Sequence, residues 1–351
     1  MRTLPTTLEG ITEGWLTEAL GRNFPGTKVK SVAIESVIWG TATKVFLEVD
    51  YSKRDDDGPP ESLCVKGGFN DEMRSIAGLG YRIESKFYRD IAPTFGGSVP
   101  KCWYADESES QNQGIVITDD LRTAGARFGR PQDHHDVDRV AASLELLAGW
   151  HGQTWNRKGV GSVSWLTVGS MLFRPVARSF LESQHWADYM TRPQTASFDE
   201  ALRDRLRVER CIERLWQLDD AAVLSVSHGD PHVGNTYSLD DGVMRFLDWQ
   251  TTSLAPWIDD VAYFIGGVLE VDDRRSHEVE LLRHYLAALS ASGASAPTFD
   301  EAWFAYRRHH LHGLMFALCP PEMQTAEVCA LMGDRYGTAA IDHETLKAFE
   351  D

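Results

Sequence analysis

The segment that most constrains this chain is Ser-His-Gly-Asp-Pro-His-Val-Gly-Asn-Thr at positions 227–236. It holds His228, Asp230 and Asn235, with four residues between the aspartate and the asparagine. Each fragment taken alone is typical of a turn, because Gly, Asn and Asp favour the backbone conformations that turns require. Taken together, the three residues place a carboxylate and an amide at a fixed spacing on one loop.

This spacing is that of the loop on which kinases transfer a phosphoryl group, where His, Asp and Asn follow in the same order. Such transfer needs a carboxylate near the acceptor hydroxyl and cations that neutralise charge on the phosphate oxygens. Asp230 is therefore the predicted catalytic carboxylate. Asn235 is a predicted Mg²⁺ ligand, because its amide oxygen can bind a hard cation without adding negative charge.

A second carboxylate follows the loop. The run Arg245–Gln250 is typical of an apolar strand that delivers an aspartate at its end, and the dipeptide Asp241-Gly242 before it indicates a tight turn. Asp248 then corresponds to the metal-binding aspartate of Asp-Phe-Gly in protein kinases, although Trp-Gln replaces Phe-Gly here. We predict that Asp248 binds Mg²⁺.

Two β-branched runs, residues 32–38 and 44–49, predict a hairpin upstream of this loop. Its connection, residues 39–43, is a candidate phosphate-covering loop that would act through the backbone near Gly40 and the hydroxyls of Thr41 and Thr43. Protein kinases have three glycines in this loop and this chain has one, so an ordinary β-hairpin is an equal alternative.

Lys66 ends a short apolar run and is the predicted phosphate-binding lysine. The next stretch, residues 71–91, has helical periodicity, and Glu84 shares its apolar face with Phe87. A carboxylate on that face would be costly unless paired, so we expect an ion pair between Glu84 and Lys66. The alternative is a solvated Glu84 beside Lys86.

Four stretches of the chain resemble the aminoglycoside phosphotransferase and choline kinase superfamily, and most closely its bacterial ecdysteroid-kinase-like (CHK-like) members. These stretches are residues 84–93, 115–121, 228–235, and 247–250 with 260–264. The similarity runs from about Val32 to Gly267.

The resemblance implies roles for several residues that the sequence pattern alone does not indicate. Similar proteins bind adenine along a hinge after the fifth strand, here near Ile117, Thr118 and Asp119, mainly through backbone groups. Asp260 matches an aspartate that braces the catalytic loop, and His228 is expected to do structural work through its ring nitrogens.

We predict an α+β, two-lobed protein-kinase-like fold, with an N-terminal antiparallel-sheet lobe that carries one long helix and a mostly helical C-terminal lobe. At 351 residues the chain is longer than a single core usually supports. The nucleotide-binding lobe is expected at residues 1–117, the hinge at 118–121, and the helical lobe with the catalytic loop and acceptor pocket at 122–351.

Composition excludes some partners. A formal net charge of −17 argues against a nucleic-acid or anionic-membrane surface. Five widely spaced cysteines without a Cys-x-x-Cys pair favour the reducing cytoplasm. No apolar run reaches the roughly 18 residues that a membrane-spanning helix needs.

The sequence thus predicts an ATP- and Mg²⁺-dependent kinase that transfers the γ-phosphate to a hydroxyl of a small molecule. Two alternatives stay open. One is a catalytically silent nucleotide-binding scaffold. The other is a protein kinase, which is disfavoured because no Ala-Pro-Glu follows Asp248 and too few residues separate it from Trp257 to form an activation loop.

Overall fold

The computed structural model describes residues 3–320 and 324–350, which form two compact units. Unit 1 comprises Met1–Arg127 and Leu247–Gln250, and unit 2 comprises Phe128–Phe246 and Thr251–Asp351. The first part of unit 1 ends at residue 127, and the lobe boundary at residue 117 stays a prediction. Segment 247–250, which the sequence places in the C-terminal lobe, belongs to unit 1. The hinge at residues 118–121 stays a prediction.

Unit 1 is built on a five-stranded antiparallel sheet with the strand order β1-β2-β3-β5-β4. Its strands are β1 (Lys28–Ile38), β2 (Thr43–Lys53), β3 (Ser62–Gly67), β4 (Cys102–Ser108) and β5 (Gln113–Asp119), and its helices are α1 (Glu13–Leu20) and α2 (Asp71–Asp90). The antiparallel sheet with helices confirms the predicted α+β class.

Helix α2 carries Glu84 and packs closely on the sheet. Its N-cap residue is Asn70, whose side chain accepts a hydrogen bond from the Met73 N–H. A β-carbon on Gly114 of β5 would lie 2.1 Å from the carbonyl oxygen of Tyr81 on the helix. Only glycine permits this approach, which sets the distance between the helix and the strands.

Unit 2 is mostly helical. Its helices are α3 (Val137–Gln153), α4 (Phe173–Phe180), α5 (Ser183–Tyr189), α6 (Glu200–Arg203), α7 (Arg205–Asp220), α8 (Ile258–Val268), α9 (Val271–Ala291), α10 (Phe299–Ala317) and α11 (Ala326–Asp342). Its strands are β7 (Ser225–Ser227), β8 (Thr236–Ser238), β9 (Met244–Phe246) and β10 (Ser253–Ala255), while β6 (Arg127–Phe128) lies at the boundary between the units.

Short antiparallel pairs frame the motif at residues 227–236. Strand β7 leads into it and pairs with β10, so that Ser227 lies opposite Ser253. Strand β8 leaves it and pairs with β9. Helix α8, buried along almost its whole length, packs behind the motif. Within residues 3–320 and 324–350, no helix combines the length and the apolar character needed to cross a bilayer.

The elements near the motif largely match the sequence. The helix expected at residues 71–91 is α2, and the hairpin expected upstream is β1–β2. The strand expected over Arg245–Gln250 is wrong in its second half, because β9 ends at Phe246 and Asp248 has a positive φ of 65°. An extended strand cannot contain such a residue.

Candidate active site

Three charged side chains from distant positions meet in unit 1. The Lys66 ammonium at the end of β3 lies 2.8 Å from the carboxylate of Glu84 on α2 and 3.1 Å from Asp248 Oδ1. The ion pair predicted between Lys66 and Glu84 is therefore present. Lys86, the alternative neighbour of Glu84, instead lies 3.6 Å from Glu107.

Burial makes this cluster sensitive to the charge of each member. The side chains of Lys66 and Glu84 are 11% and 4% exposed. Burial raises the pKa of Glu84, since it disfavours the charged form. Burial also acts to lower the pKa of Lys66, but the carboxylates of Asp248 and Glu84 outweigh it and raise that pKa. Lys66 therefore remains an ammonium ion held between two carboxylates.

Trp249, which the sequence did not single out, holds Asp248 in its unusual conformation. Its ring is 1% exposed and stacks on Phe87 of α2, with ring centres 3.9 Å apart and planes 7° apart. Its backbone N–H donates to Glu84 Oε1 at 3.3 Å. These contacts fix the backbone after Asp248, so that a residue with positive φ can deliver its carboxylate to Lys66.

The candidate phosphate loop spans the turn between β1 and β2. Gly40 and Thr41 are exposed, and the carbonyl oxygen of Thr41 accepts a hydrogen bond from the Tyr81 hydroxyl. Burial raises the pKa of that Tyr81 hydroxyl to about 12. Helix α2 thus anchors the loop at one point.

The residues expected near adenine lie at the end of β5. Ile117 is fully buried, while Thr118 and Asp119 are half-buried. The Asp119 carboxylate accepts a hydrogen bond from the Trp103 indole N–H at 2.7 Å. Contact between Ile117, Thr118 or Asp119 and a nucleotide stays a prediction.

In unit 2, the predicted catalytic loop turns at Gly229. This residue has a φ of 81°, and a β-carbon there would lie 2.8 Å from the carbonyl oxygen of Thr251. The turn directs the next residue, Asp230, out of the buried strand. The Asp230 N–H donates to His228 Nδ1 at 3.2 Å. A structural role for the His228 ring stays a prediction.

The Asp230 carboxylate is held by donors on both oxygens. The Asn235 side-chain N–H donates to Asp230 Oδ2 at 3.2 Å and to its backbone carbonyl at 3.0 Å. The Tyr263 hydroxyl donates to Asp230 Oδ1 at 3.0 Å. Both hydrogen bonds from Asn235 to Asp230 use the amide nitrogen, and the role of the amide oxygen as a metal ligand stays a prediction.

Asp260, which lies in the first turn of α8, binds the backbone of the loop. Its two oxygens accept hydrogen bonds, each at 2.8 Å, from the Ser227 hydroxyl and from the backbone N–H groups of His228 and Gly229. His151 Nε2 lies 3.0 Å from the same carboxylate. Burial acts to raise the pKa of Asp260, but the His151 contact and the N–H donors lower it. Asp260 therefore stays ionised and fixes the backbone around Asp230.

Sequence reasoning missed His151 and Tyr263, although a signal exists for each. His151 is a histidine on the apolar face of α3, beside Leu147 and Ala148. Tyr263 follows Asp260 by three residues, so the two share a helix face. Either pattern also fits a residue that only packs in a core. What distinguishes a supporting residue from a core residue is its partner in the folded chain, which is Asp260 for His151 and Asp230 for Tyr263.

The structure thus groups the predicted residues in two sets. Unit 1 holds Lys66, Glu84 and Asp248, with Gly40, Thr41 and the Ile117–Asp119 segment elsewhere in the same unit. Unit 2 holds His228, Asp230, Asn235 and Asp260 on one loop and the helix behind it.

Comparison with protein-family models decides the classification. The model of the ecdysteroid kinase-like family matches residues 43–295, which include all of these predicted residues except Gly40 and Thr41. The chain belongs to the ecdysteroid kinase-like family. No curated protein sequence gives a match.

Solved structures share the fold of this ecdysteroid kinase-like protein at low identity. A choline kinase from Cryptosporidium parvum Iowa II matches with a TM-score of 0.54 and 12% identity, over 90% of this chain and 89% of that one. A Plasmodium vivax ethanolamine kinase has a TM-score of 0.50 and 12% identity, over 91% and 83%. A spectinomycin phosphotransferase, solved with ADP and spectinomycin, has a TM-score of 0.50 and 13% identity, over 95% and 99%. These likenesses confirm the two-lobed kinase-like fold.

Proposed function

We propose that this protein transfers the γ-phosphoryl group of ATP to a hydroxyl group of a small molecule. The observation that carries the proposal is the Asp230 carboxylate, presented by the turn at Gly229 and held on both oxygens by Asn235 and Tyr263. A fixed carboxylate of this kind is what an acceptor hydroxyl needs for orientation and proton removal. Membership of the ecdysteroid kinase-like family supports the same reaction class.

In this reaction the acceptor oxygen forms a bond to the γ-phosphorus while the bond between that phosphorus and ADP breaks. Asp230 orients the acceptor hydroxyl and accepts its proton. Asp260 contributes indirectly, because its hydrogen bonds to the His228 and Gly229 N–H groups hold the loop that presents Asp230.

The residues of unit 1 would hold the nucleotide. Lys66 stays charged and binds phosphate oxygens, while Glu84 keeps the ammonium in place. The backbone near Gly40 and Thr41 would contact the phosphates, and backbone groups from Ile117 to Asp119 the adenine.

A carboxylate and an amide oxygen are the donors that Mg²⁺ prefers, so Asp248 and Asn235 fit the metal ligands of such a kinase. When bound, Mg²⁺ would neutralise charge on the phosphate oxygens.

We also propose a cytoplasmic setting, which the five free cysteines support.

Two other functions are less well supported. A protein kinase needs a long activation loop, whereas only a 3-10 helix (Trp249–Thr251) and β10 separate Asp248 from α8. A silent scaffold would not need the buried charges of Lys66 and Glu84, which are costly to maintain without a role.

The test is a transfer assay with γ-labelled ATP and Mg²⁺ against several classes of hydroxylated acceptor. These classes are amino sugars, the aminocyclitol spectinomycin, the amino alcohols choline and ethanolamine, macrolides and sterols. We expect transfer to one class, and we expect Asp230→Asn to abolish it while ATP affinity stays within a few-fold. Asp240→Asn makes the same chemical change at an exposed site of the same unit and should leave transfer intact.

Two results would contradict the proposal. If ATP binds but no acceptor is phosphorylated, the scaffold function is favoured. If Asp230→Asn keeps near wild-type turnover, or loses ATP affinity as severely as activity, Asp230 is not the base.

A further inference from the structure

Tyr263 on α8 contacts the loop aspartate directly, one turn beyond Asp260. Because residues three apart lie on the same face of a helix, Asp260 and Tyr263 both point toward the loop. Asp260 binds backbone N–H groups of the loop, whereas the Tyr263 hydroxyl donates to the side chain of Asp230 at 3.0 Å. Helix α8 therefore supports both the backbone and the carboxylate.

The two oxygens of Asp230 have different donors. Tyr263 binds Oδ1, and the Asn235 amide binds Oδ2 at 3.2 Å. The terminal torsion of an aspartate is otherwise broad, so two donors on opposite oxygens fix its rotation. Each ionised carboxylate oxygen has about two lone pairs, so an oxygen that already accepts one hydrogen bond can also accept another.

The Tyr263 ring is itself held firmly. It is 1% exposed and stacks on Phe316, with ring centres 4.8 Å apart and planes 15° apart. Its backbone carbonyl accepts a hydrogen bond from the Tyr336 hydroxyl at 2.8 Å. The Tyr336 hydroxyl in turn packs against Gly267, where a β-carbon would lie only 2.1 Å from the hydroxyl oxygen. The phenol oxygen of Tyr263 therefore has a fixed place beside Asp230.

We propose that Tyr263 is a positioning residue, whose hydroxyl holds the Asp230 carboxylate in the orientation that receives the acceptor's proton. This inference rests on the proposed function, since only transfer gives Asp230 a proton to receive. Burial and the nearby Asp230 carboxylate raise the pKa of Tyr263 well above its ordinary value. The phenol therefore stays protonated and donates; it gives up no proton in the reaction.

Other titratable groups also face Asp230. His232 Nε2 lies 3.9 Å from Asp230 Oδ2, and the Cys319 thiol and the Tyr336 phenol interact with the carboxylate electrostatically. Burial raises the pKa of both Cys319 and Tyr336. Because His232 is present in both wild type and variant, its interaction with Asp230 does not distinguish the two proteins.

The variant that tests this is Tyr263→Phe, which keeps the stacked ring and removes one oxygen. A hydrogen bond to a charged group typically changes an equilibrium by about ten- to a hundred-fold, so kcat should fall by about that factor with little change in acceptor KM. Because the donor favours ionised Asp230, its loss raises the pKa of that carboxyl. The acidic limb of the kcat profile should then move to higher pH by about one unit.

Tyr306→Phe is the matched control. Tyr306 is a fully buried phenol of the same unit that donates to the carboxylate of Glu278 at 3.0 Å. It should lose comparable stability and keep the wild-type kcat and pH profile. Unchanged kcat and pH profile in Tyr263→Phe, or equal losses in both variants, would overturn the positioning role.

A measurement that needs no turnover separates this inference from the proposed function. In protein labelled at the aspartate carboxyl carbons, the Asp230 resonance is assigned by its absence in Asp230→Asn, and its titration midpoint is measured by NMR. We expect a higher midpoint in Tyr263→Phe and no change in Tyr306→Phe. Absent transfer in wild type would refute the proposed function, whereas an unchanged midpoint in Tyr263→Phe would refute the role of Tyr263 whether or not transfer occurs.

Discussion

The charge cluster of unit 1 predicts a pH-dependent loss of stability in Lys66→Met. Methionine preserves much of the apolar stem but removes the ammonium that lies 2.8 Å from Glu84 and 3.1 Å from Asp248. Glu84, whose side chain is 4% exposed, would then be a buried carboxylate without its cation. The backbone N–H of Trp249, 3.3 Å from Glu84 Oε1, would still donate to it.

Removing one partner of a buried ion pair typically costs about 3–5 kcal/mol. Because the Trp249 N–H still stabilises Glu84, we expect the low end, about 3 kcal/mol at pH 8. Glu84 can escape this cost by taking up a proton. Burial already raises its pKa, and without Lys66 the folded-state pKa rises further above the unfolded value.

The sign of the pH dependence follows from proton binding. Between the unfolded and the folded pKa of Glu84, the native variant binds more protons than the unfolded chain, so its stability increases as the pH falls. One proton changes the free energy of unfolding by at most about 1.4 kcal/mol per pH unit. The deficit relative to wild type should therefore be largest at pH 8 and should shrink toward pH 5.5.

The free energy of unfolding of unit 1 can be measured by urea denaturation with hydrogen-exchange mass spectrometry on peptides of β5. Lys30→Met is the control, because the side chains of Lys30 and Asp50 are 66% and 54% exposed and losing such a solvent-screened pair should change stability little. Adding Glu84→Gln to Lys66→Met should recover much of the loss and abolish its pH dependence. A Lys66→Met deficit below about 1 kcal/mol, or one that does not change with pH, would refute the reasoning.

Two further predictions concern unit 1. Asp248→Ala should remove the Mg²⁺-dependent tightening of ATP binding, measured by calorimetry with and without Mg²⁺, and an undiminished Mg²⁺ effect would exclude Asp248 as the metal ligand. Gly114→Ala should destabilise unit 1 by about 3 kcal/mol or more, because the new methyl group would lie 2.1 Å from the Tyr81 carbonyl oxygen, whereas Gly97→Ala, with nothing within 4 Å, should change stability by less than about 1 kcal/mol. Equal stabilities of the two alanine variants would contradict the packing argument.

Local sequence patterns were sufficient for much of unit 1. The helical period placed Glu84 on the buried face of α2, and an apolar run ending in lysine placed Lys66 at the end of β3. Since a buried carboxylate needs a cation, the sequence alone predicts the pair. The loop residues from His228 to Asn235 are predicted from their spacing alone.

Features that depend on tertiary packing could not be read in this way. The positive φ of Asp248 has no local signal, because it is imposed by the stacking of Trp249 on Phe87. His151 reaches Asp260 across 109 residues, and only packing decides which of several histidines does so. That segment 247–250 packs with unit 1, although the sequence around it belongs to unit 2, likewise depends on the folded chain.

That segment also affects the order of events during synthesis. Residues 1–127 leave the ribosome about 120 residues before Leu247–Gln250, the last part of the unit to which they belong. At about 5–20 residues per second, the delay is on the order of ten seconds. Throughout it the face of Phe87 lacks the Trp249 ring and Lys66 lacks Asp248. Until residues 247–250 are synthesised, the N-terminal region therefore exposes the apolar face of Phe87 that Trp249 covers in the folded chain. A fragment expressed as residues 1–127 would lack this contact unless a peptide carrying residues 247–250 were supplied.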